Sequence, residues 1–402
     1  MAQKQVLIIG GGAAGFFAAI NCAEKYPDYK ITILEKSSTL LSKVKISGGG
    51  RCNVTHACFE PKELVKYYPR GEKQLLGPFT RFNPTDTIKW FEERGVKIKR
   101  EADGRMFPVT DSSQTIINCF LSEARRLGIA ILTQSGVDKI MPPNQNNPWQ
   151  VSTQSHGIMQ ADFIIVTSGS GGQIWKMLQQ LGHTVVPAVP SLFTFNINDK
   201  RLKGLEGISM PKAEVSVIDT KLNTEGPLLI THWGLSGPAV LKLSAWGARQ
   251  LAETNYHFKI KVNWLGKPLE EVKAFLTRFK NDSPKKNVAA NALFNMPKRL
   301  WESMVAPANG NYADLSKTDI NFIASALCES IYQVDKKSTF KEEFVTAGGV
   351  DLKEVDFKTM QSKKFNGLFF AGEVLDIDAL TGGFNFQAAW TTAWIAANLG
   401  SI

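Results

Sequence analysis

A run of strand-forming residues, Val6-Leu-Ile-Ile9, passes directly into Gly10-Gly-Gly-Ala-Ala-Gly15 and then into an apolar stretch with helical spacing that reaches about Tyr26. A strand apolar at every residue is covered on both faces, the pattern of a parallel sheet flanked by helices. The spacing Gly10-x-Gly12-x-x-Gly15 between strand and helix gives each glycine a task. The first permits a tight turn, the second leaves room for a pyrophosphate, and the third lets helix and strand approach closely, with Ala13 and Ala14 as the small residues between them. Amides at the helix N-terminus then face the phosphates, and the helix dipole favours their charge. The next strand, Ile31-Thr-Ile-Leu-Glu35, ends on a carboxylate 20 residues beyond Gly15. Glu35 can accept hydrogen bonds from both hydroxyls of an adenosine ribose and repels a 2′-phosphate, so this opening βαβ is read as taking FAD or NAD and not NADP.

At 402 residues the chain exceeds the roughly 250 to 300 at which a single core stops growing. More than one domain is expected. Helices are expected at about 60–69, 85–94 and 113–127, a Gly-rich loop at 47–53, and strands near 129–140, 148–154 and 158–167. After Pro187 and Pro190 the pattern changes. Ala213-Glu-Val-Ser-Val-Ile218 and Phe258-Lys-Ile-Lys-Val262 alternate, as strands of an antiparallel sheet with one wet face do. Between about 268 and 332 the period becomes helical: Val272, Phe275, Leu276 and Phe279 share one face, and Ile320, Ile323, Leu327 and Ile331 share another. Dinucleotide-fold character resumes near residue 345, so the intervening segment reads as an insertion.

Two further Gly-rich segments favour FAD over NAD: Ser47-Gly-Gly-Gly-Arg-Cys-Asn53 and Gly372-Glu-Val-Leu-Asp-Ile-Asp-Ala-Leu-Thr-Gly-Gly-Phe-Asn-Phe386. Three separate close approaches of backbone suit an extended cofactor. Gly382-Gly383, ahead of the last apolar helix, presents amides at a helix N-terminus, suited to a flavin N1/O2 edge that gains negative charge on reduction. Ser168 and Gly169, in Thr167-Ser-Gly-Ser-Gly-Gly172, read as a second contact to the same cofactor because no further long βαβ follows. NADH or NADPH is accordingly expected only as a transient co-substrate docking over the isoalloxazine.

These segments, with GRMFPV at 104–109, LLITHWGLSGPAVLKLS at 228–244, VTAGGV at 345–350 and GLFFAGEVLDIDALTGGFNFQAAW at 367–390, closely resemble the bacterial BaiN-like (YhiN-like) family of NAD(P)/FAD-dependent oxidoreductases over essentially the whole chain. The resemblance implies an α/β fold class: a Rossmann-like FAD-binding domain of the glutathione-reductase/fumarate-reductase type. We expect that domain at 1–191 plus 345–402, and an inserted, mostly antiparallel β domain at 192–344 that carries a small helical subdomain at about 268–332. It further implies that Glu35 holds the ribose, and that Lys36, Lys43 and the loop of Ser47, Gly48, Gly49, Gly50, Arg51, Cys52 and Asn53 line the cofactor. Gly372 and Glu373 are implied beside the ribityl-pyrophosphate, Gly382, Gly383, Phe384 and Asn385 over the flavin edge, and Val137 with its backbone at the adenine. The chain departs from the family at 167–178, where a longer Ser/Pro/Thr/Gly segment is replaced by a direct passage into Ile174-Trp-Lys-Met-Leu178.

The remaining chemistry is sparser. Cys22, Cys52, Cys58, Cys119 and Cys328 contain no CxxC pair and the five histidines are dispersed, so neither a disulfide framework nor a metal is implied. No serine–histidine–acid or paired-carboxylate arrangement is evident. Cys52 is read as packing against the cofactor, Arg51 as contacting an anion or making a salt bridge, and His232, in Thr231-His-Trp-Gly-Leu-Ser-Gly-Pro238, as either a histidine that caps backbone groups where two domains meet or the titratable candidate for proton delivery. A formal charge of +10 is spread along the chain and reads as solvated charge rather than a nucleic-acid site. No segment reads as a signal peptide or a membrane span, so a cytoplasmic protein is expected. The expected activity is redox chemistry on a small organic molecule, and the resemblance implies reduction of an enone at the expense of NAD(P)H as the favoured case. Two alternatives stay open: monooxygenation or electron transfer, and an FAD-containing accessory protein that associates with nucleic acid.

Overall fold

The computed structural model describes residues 3–145, 147–308, 310–338 and 345–400. It divides into two compact units, Met1–Val189 with Val345–Ile402, and Pro190–Phe344. Among the described residues no helix is long and apolar enough to cross a membrane.

The first unit is built on five parallel strands in the order Leu368–Phe370, Phe163–Val166, Gln5–Ile9, Lys30–Leu34, Ala130–Leu132, with two short antiparallel strands beyond Leu368–Phe370. The chain winds outward from Gln5–Ile9 in one direction through Lys30–Leu34, then returns to its other side with Phe163–Val166. The C-terminal end of Gln5–Ile9 is therefore a topological switch point, where ligands bind in sheets of this kind. Helices Ala13–Lys25 and Phe384–Ala396 pack on one another, with the Phe17 and Trp390 rings 5.2 Å apart. Both are apolar nearly all round because both are buried nearly all round. Val137–Met141, Trp149–Thr153 and Gly157–Ala161 form a separate antiparallel meander. The second unit is a seven-stranded antiparallel sheet whose alternation is plain in Phe258–Asn263, and it carries helices Leu269–Asp282, Lys298–Val305 and Lys317–Cys328. The α/β, Rossmann-like class with added antiparallel sheet is the one the sequence implies.

Three local expectations need correction. Residues 60–69 are not one helix but Pro61–Leu64 followed by a 3-10 turn at Val65–Tyr67. Glu72–Arg81, where no helix is expected above, is helical despite Gly77 and Pro78, since Leu75, Pro78 and Phe79 bury one face of it. Ile331 does not continue the stripe of Ile320, Ile323 and Leu327. The helix stops at Cys328, and Ser330–Val334 is a strand that buries Tyr332 and Val334 and leaves Ile331 exposed, so a period of two replaces one of 3.6.

Candidate functional site

The glycine loop meets the steric demands of its motif residue by residue. A Cβ on Gly10, whose φ is +117°, would lie 2.7 Å from the Thr167 carbonyl oxygen, and one on Gly15 would lie 1.9 Å from that of Gly10. A Cβ on Gly12 would meet nothing within 4 Å. The outer glycines are thus required by the protein itself, while the middle one keeps space clear. Gly12 caps the helix Ala13–Lys25 without a side-chain hydrogen bond, which leaves its first amides to an outside acceptor such as a phosphate. The Glu35 carboxylate accepts from Gly11 N and Ser37 N, both at 2.8 Å, one on each oxygen. Each oxygen keeps a lone pair for a ribose hydroxyl, so the residues fit the adenosine half of a dinucleotide. Lys36 is exposed beside this carboxylate. Val137 is buried, and its carbonyl accepts from Gln173 Nε2 at 3.3 Å.

The other Gly-rich segments build a second wall. Helix Ser42–Gly50 loses helical geometry at Ser47, Gly48 and Gly49, so the expected loop is present, and Gly49 and Gly50 face open space. Asn53 is buried and accepts from Met106 N at 3.3 Å. Thr55 Oγ1 donates to Gln387 Oε1 at 2.6 Å, and Trp390 Nε1 donates to the Val54 carbonyl at 2.9 Å, which fastens the loop to the last helix. At Gly383, φ +94°, a Cβ would lie 2.5 Å from the Thr55 carbonyl oxygen, so only glycine lets the two segments close. Phe384 stacks on Tyr67 with centroids 4.1 Å apart, and its carbonyl accepts from Tyr68 Oη at 2.6 Å. Asn385 closes the turn on Ala379, accepting from its N–H at 2.9 Å and donating to its carbonyl at 3.1 Å. Gly372 N donates to Thr392 Oγ1, while Glu373 pairs with Lys43 at 2.5 Å and lies near Gly169. Ser168 is half-buried beside it.

Arg51 is engaged within the protein, and Cys52 is fully buried. The Arg51 guanidinium bonds Glu101 at 2.6 Å, reaches Asp111 at 3.4 Å and covers the Phe107 ring at 4.0 Å, so it makes the salt bridge rather than a free anion contact. Burial pushes the Cys52 thiol up to about 12, leaving it uncharged at neutral pH and without the reactivity of a thiolate. His232 is exposed at the tip of a hairpin, with Glu206 as a charged neighbour. His56, which the sequence reading passed over, packs against the site: its ring stacks on Phe384 at 4.6 Å and its Nε2 lies 3.2 Å from the Asp103 carbonyl oxygen. Its Nδ1 is buried with no partner among the described residues. The only sequence signal for it was its position three residues after Asn53.

The structure also contains a serine–histidine–carboxylate line that sequence spacing did not reveal. Ser362 Oγ is 3.2 Å from His183 Nε2, and His183 Nδ1 is 2.9 Å from Glu354 Oε2. Ser362 is 3 % exposed and its oxygen already accepts from the amides of Lys364 and Phe365, so it is a structural tie and not a nucleophile. Burial raises the Glu354 carboxyl, but hydrogen bonds from Lys364, Thr184 and His183 outweigh it and bring the group down to about 2. Burial also lowers His183. A depressed carboxyl stabilises the fold above its unfolded pKa and loses that contribution as pH falls through its folded value, and a depressed histidine acts in the same direction below its own unfolded pKa. We expect stability to fall between about pH 6.5 and pH 2, by on the order of 2 kcal/mol from Glu354. Urea unfolding of Glu354→Gln should show a flatter pH dependence below pH 5, and a dependence equal to the wild type would assign the acid lability elsewhere.

With this geometry in place, comparison with known proteins is informative. A ribosomal RNA dihydrouridine synthase from Escherichia coli is 28 % identical over 413 residues, covering 99 % of this chain and 98 % of the relative. A 3-dehydro-bile acid delta(4,6)-reductase from Clostridium scindens is 26 % identical over 411 residues, covering 98 % of each. In fold, the chain is similar to a 3-ketosteroid-delta4-(5alpha)-dehydrogenase from Rhodococcus jostii, at 12 % identity and a TM-score of 0.53 over 99 % of this chain and 98 % of the other. The sequence profile of the HI0933-like protein Rossmann domain matches residues 4–399, across both compact units, and the chain belongs to that family as an FAD-dependent oxidoreductase.

Proposed function

We propose that the protein reduces a carbon–carbon double bond conjugated to a carbonyl, and that its substrate is a uracil base within ribosomal RNA. The observation that carries this reading is the pair of full-length relatives whose named substrates differ while the bond they act on is of one kind. The uracil C5=C6 bond is conjugated with the C4 carbonyl, just as a Δ4 bond is conjugated with a 3-oxo group. The base in RNA is favoured over a free enone because two relatives matched over nearly their whole length, each at 28 % identity, are named for ribosomal RNA, against one at 26 % named for a bile acid. A free small enone is the second reading, supported by the bile-acid relative.

In this proposal the amides after Gly12 and the Glu35 carboxylate hold the adenosine diphosphate half, with Lys36 and Val137 at its edge. Residues 47–50 with Asn53, Ser168-Gly169, Gly372-Glu373 and the Gly382–Asn385 turn hold and orient the flavin half. When bound, FAD supplies the hydride equivalent. The double bond gains that hydride and one proton, and the two electrons come from NADH or NADPH. The buried ties from Thr55, Trp390 and Tyr68 keep the flavin wall rigid, so orientation is preset before the substrate arrives.

The test is anaerobic. The FAD-loaded protein is reduced with NADH or NADPH, then mixed separately with unmodified ribosomal RNA transcribed in vitro and with a panel of small enones. Bleaching of the visible flavin absorbance followed by dihydrouridine in the digested RNA is the expected result. Unchanged RNA together with a reduced enone would replace this reading with the second.

A further inference from the structure

We propose that the hairpin tip His232-Trp233 and the basic loop beside it form an RNA-docking face on which Trp233 stacks against a base; the proposal rests on the uridine reading above. The tip is a two-residue turn between strands Asn223–Thr231 and Gly234–Ser236, with Thr231 paired to Gly234. Its backbone is held from three directions. Ile197 N donates to the Trp233 carbonyl at 2.8 Å, Trp233 N donates to Thr231 Oγ1 at 3.3 Å, and a Cβ on Gly234 would lie 2.4 Å from the Phe195 carbonyl oxygen. The indole is nevertheless 57 % exposed. A large aromatic side chain exposed on a turn whose backbone is held in place is available to a partner, and a flat ring is matched by a flat, apolar face.

The surroundings favour a nucleic acid as that partner. Residues 199–208 are laced to the end of strand Asn223–Thr231, since Gly207 N donates to the Ile230 carbonyl and Ile230 N to that of Ile208, both at 2.9 Å. This loop carries Lys200, Arg201 and Lys203, and Arg299, beside Lys298, reaches across to the Gly204 carbonyl. Acids are present too: Asp199 holds Arg201, Glu302 lies 3.8 Å from Lys298, and Glu206 sits near His232 and Arg299. Lys200 and Lys203 make no ion pair among the described residues and are exposed, which leaves them to phosphates. The same loop walls a groove of about 560 Å³ that Phe322, 40 % exposed, and the acid Glu329 also line. Cations alternating with exposed rings are what single-stranded RNA requires, the rings taking bases and the cations taking backbone.

The FAD-loaded, full-length protein is titrated with unmodified ribosomal RNA transcribed in vitro, over a range of salt concentrations. Trp233→Ala is expected to weaken binding about 5- to 150-fold and Trp233→Phe to retain most of it. The double change Lys203→Gln with Arg299→Gln is expected to lower the slope of log affinity against log salt by about one to two. Flavin reduction by NADH or NADPH is expected to be unchanged in every variant, which establishes that each is folded and loaded. If the wild type forms dihydrouridine in this RNA while Trp233→Ala binds it equally well, the docking face is wrong and the uridine reading survives. If the wild type forms no dihydrouridine, both fall.

Discussion

Replacing Gly12 with alanine is expected to leave the apoprotein folded and close to wild-type stability while lowering its affinity for FAD by about 10- to 100-fold. The backbone at Gly12 has φ −92° and ψ −167°, which any residue adopts, and its Cβ would touch nothing in the protein. Loss of the residue as a helix cap costs the protein no more than about 1 kcal/mol. Every remaining penalty falls on whatever occupies the space the glycine keeps clear. Gly15→Ala is the opposite case, because its Cβ would lie 1.9 Å from the Gly10 carbonyl oxygen and the helix must move before any ligand is present. That variant should unfold at lower urea whether or not flavin is added, by about 3 kcal/mol or more. Urea unfolding of the two apoproteins, alongside FAD titration followed by flavin fluorescence, separates a ligand effect from a fold effect. Normal FAD affinity in Gly12→Ala would move the pyrophosphate away from this loop.

The parts of this molecule that were legible in the sequence are those whose cause is local. Val6–Ile9, the three glycines and Glu35 lie within one βαβ, and their spacing along the chain announces their roles, although the close approach at Gly10 is to the distant Thr167 carbonyl. The alternation in Phe258–Asn263 is legible for the same reason. What escaped depends on residues distant in the chain. His56 owes its position to Phe384 and Asp103, and the line Ser362–His183–Glu354 joins three segments whose spacing carries no period. Helix Glu72–Arg81 contradicts its own propensities at Gly77 and Pro78 and forms because burial of Leu75 and Phe79 decides the matter. Ile331 fits a helical stripe by number, but pairing of its segment with Phe258–Asn263 turned it outward. Arg51 illustrates the limit for sites: its place in a Gly-rich loop suggests a ligand contact, and only the fold shows that Glu101, Asp111 and Phe107 already occupy it.

Arg70 and Asp378 were not singled out by sequence at all, yet replacing Asp378 is expected to be among the most damaging single changes in the chain. The Asp378 carboxylate takes both Nε and Nη2 of Arg70 in a fork, with side chains 1 % and 10 % exposed. The two residues also form an isolated antiparallel bridge, and Leu380 N donates to the Tyr67 carbonyl at 3.0 Å. Arg70 thus holds the segment that leads into Gly382-Gly383, the turn proposed above for the flavin edge. Removing one partner of a buried pair costs about 3 to 5 kcal/mol, since the other charge stays in a poorly solvated place. Asp378→Ala should therefore lower the urea midpoint sharply and release FAD before the sheet unfolds. Asp378→Asn keeps the shape and one acceptor, so it should fall between that variant and the wild type. The double replacement Arg70→Met with Asp378→Leu should cost clearly less than Asp378→Ala alone, because it removes both charges of the fork together. A double variant as unstable as the two single losses added together would mean that the pair acts through its shape and hydrogen bonds rather than through its charge.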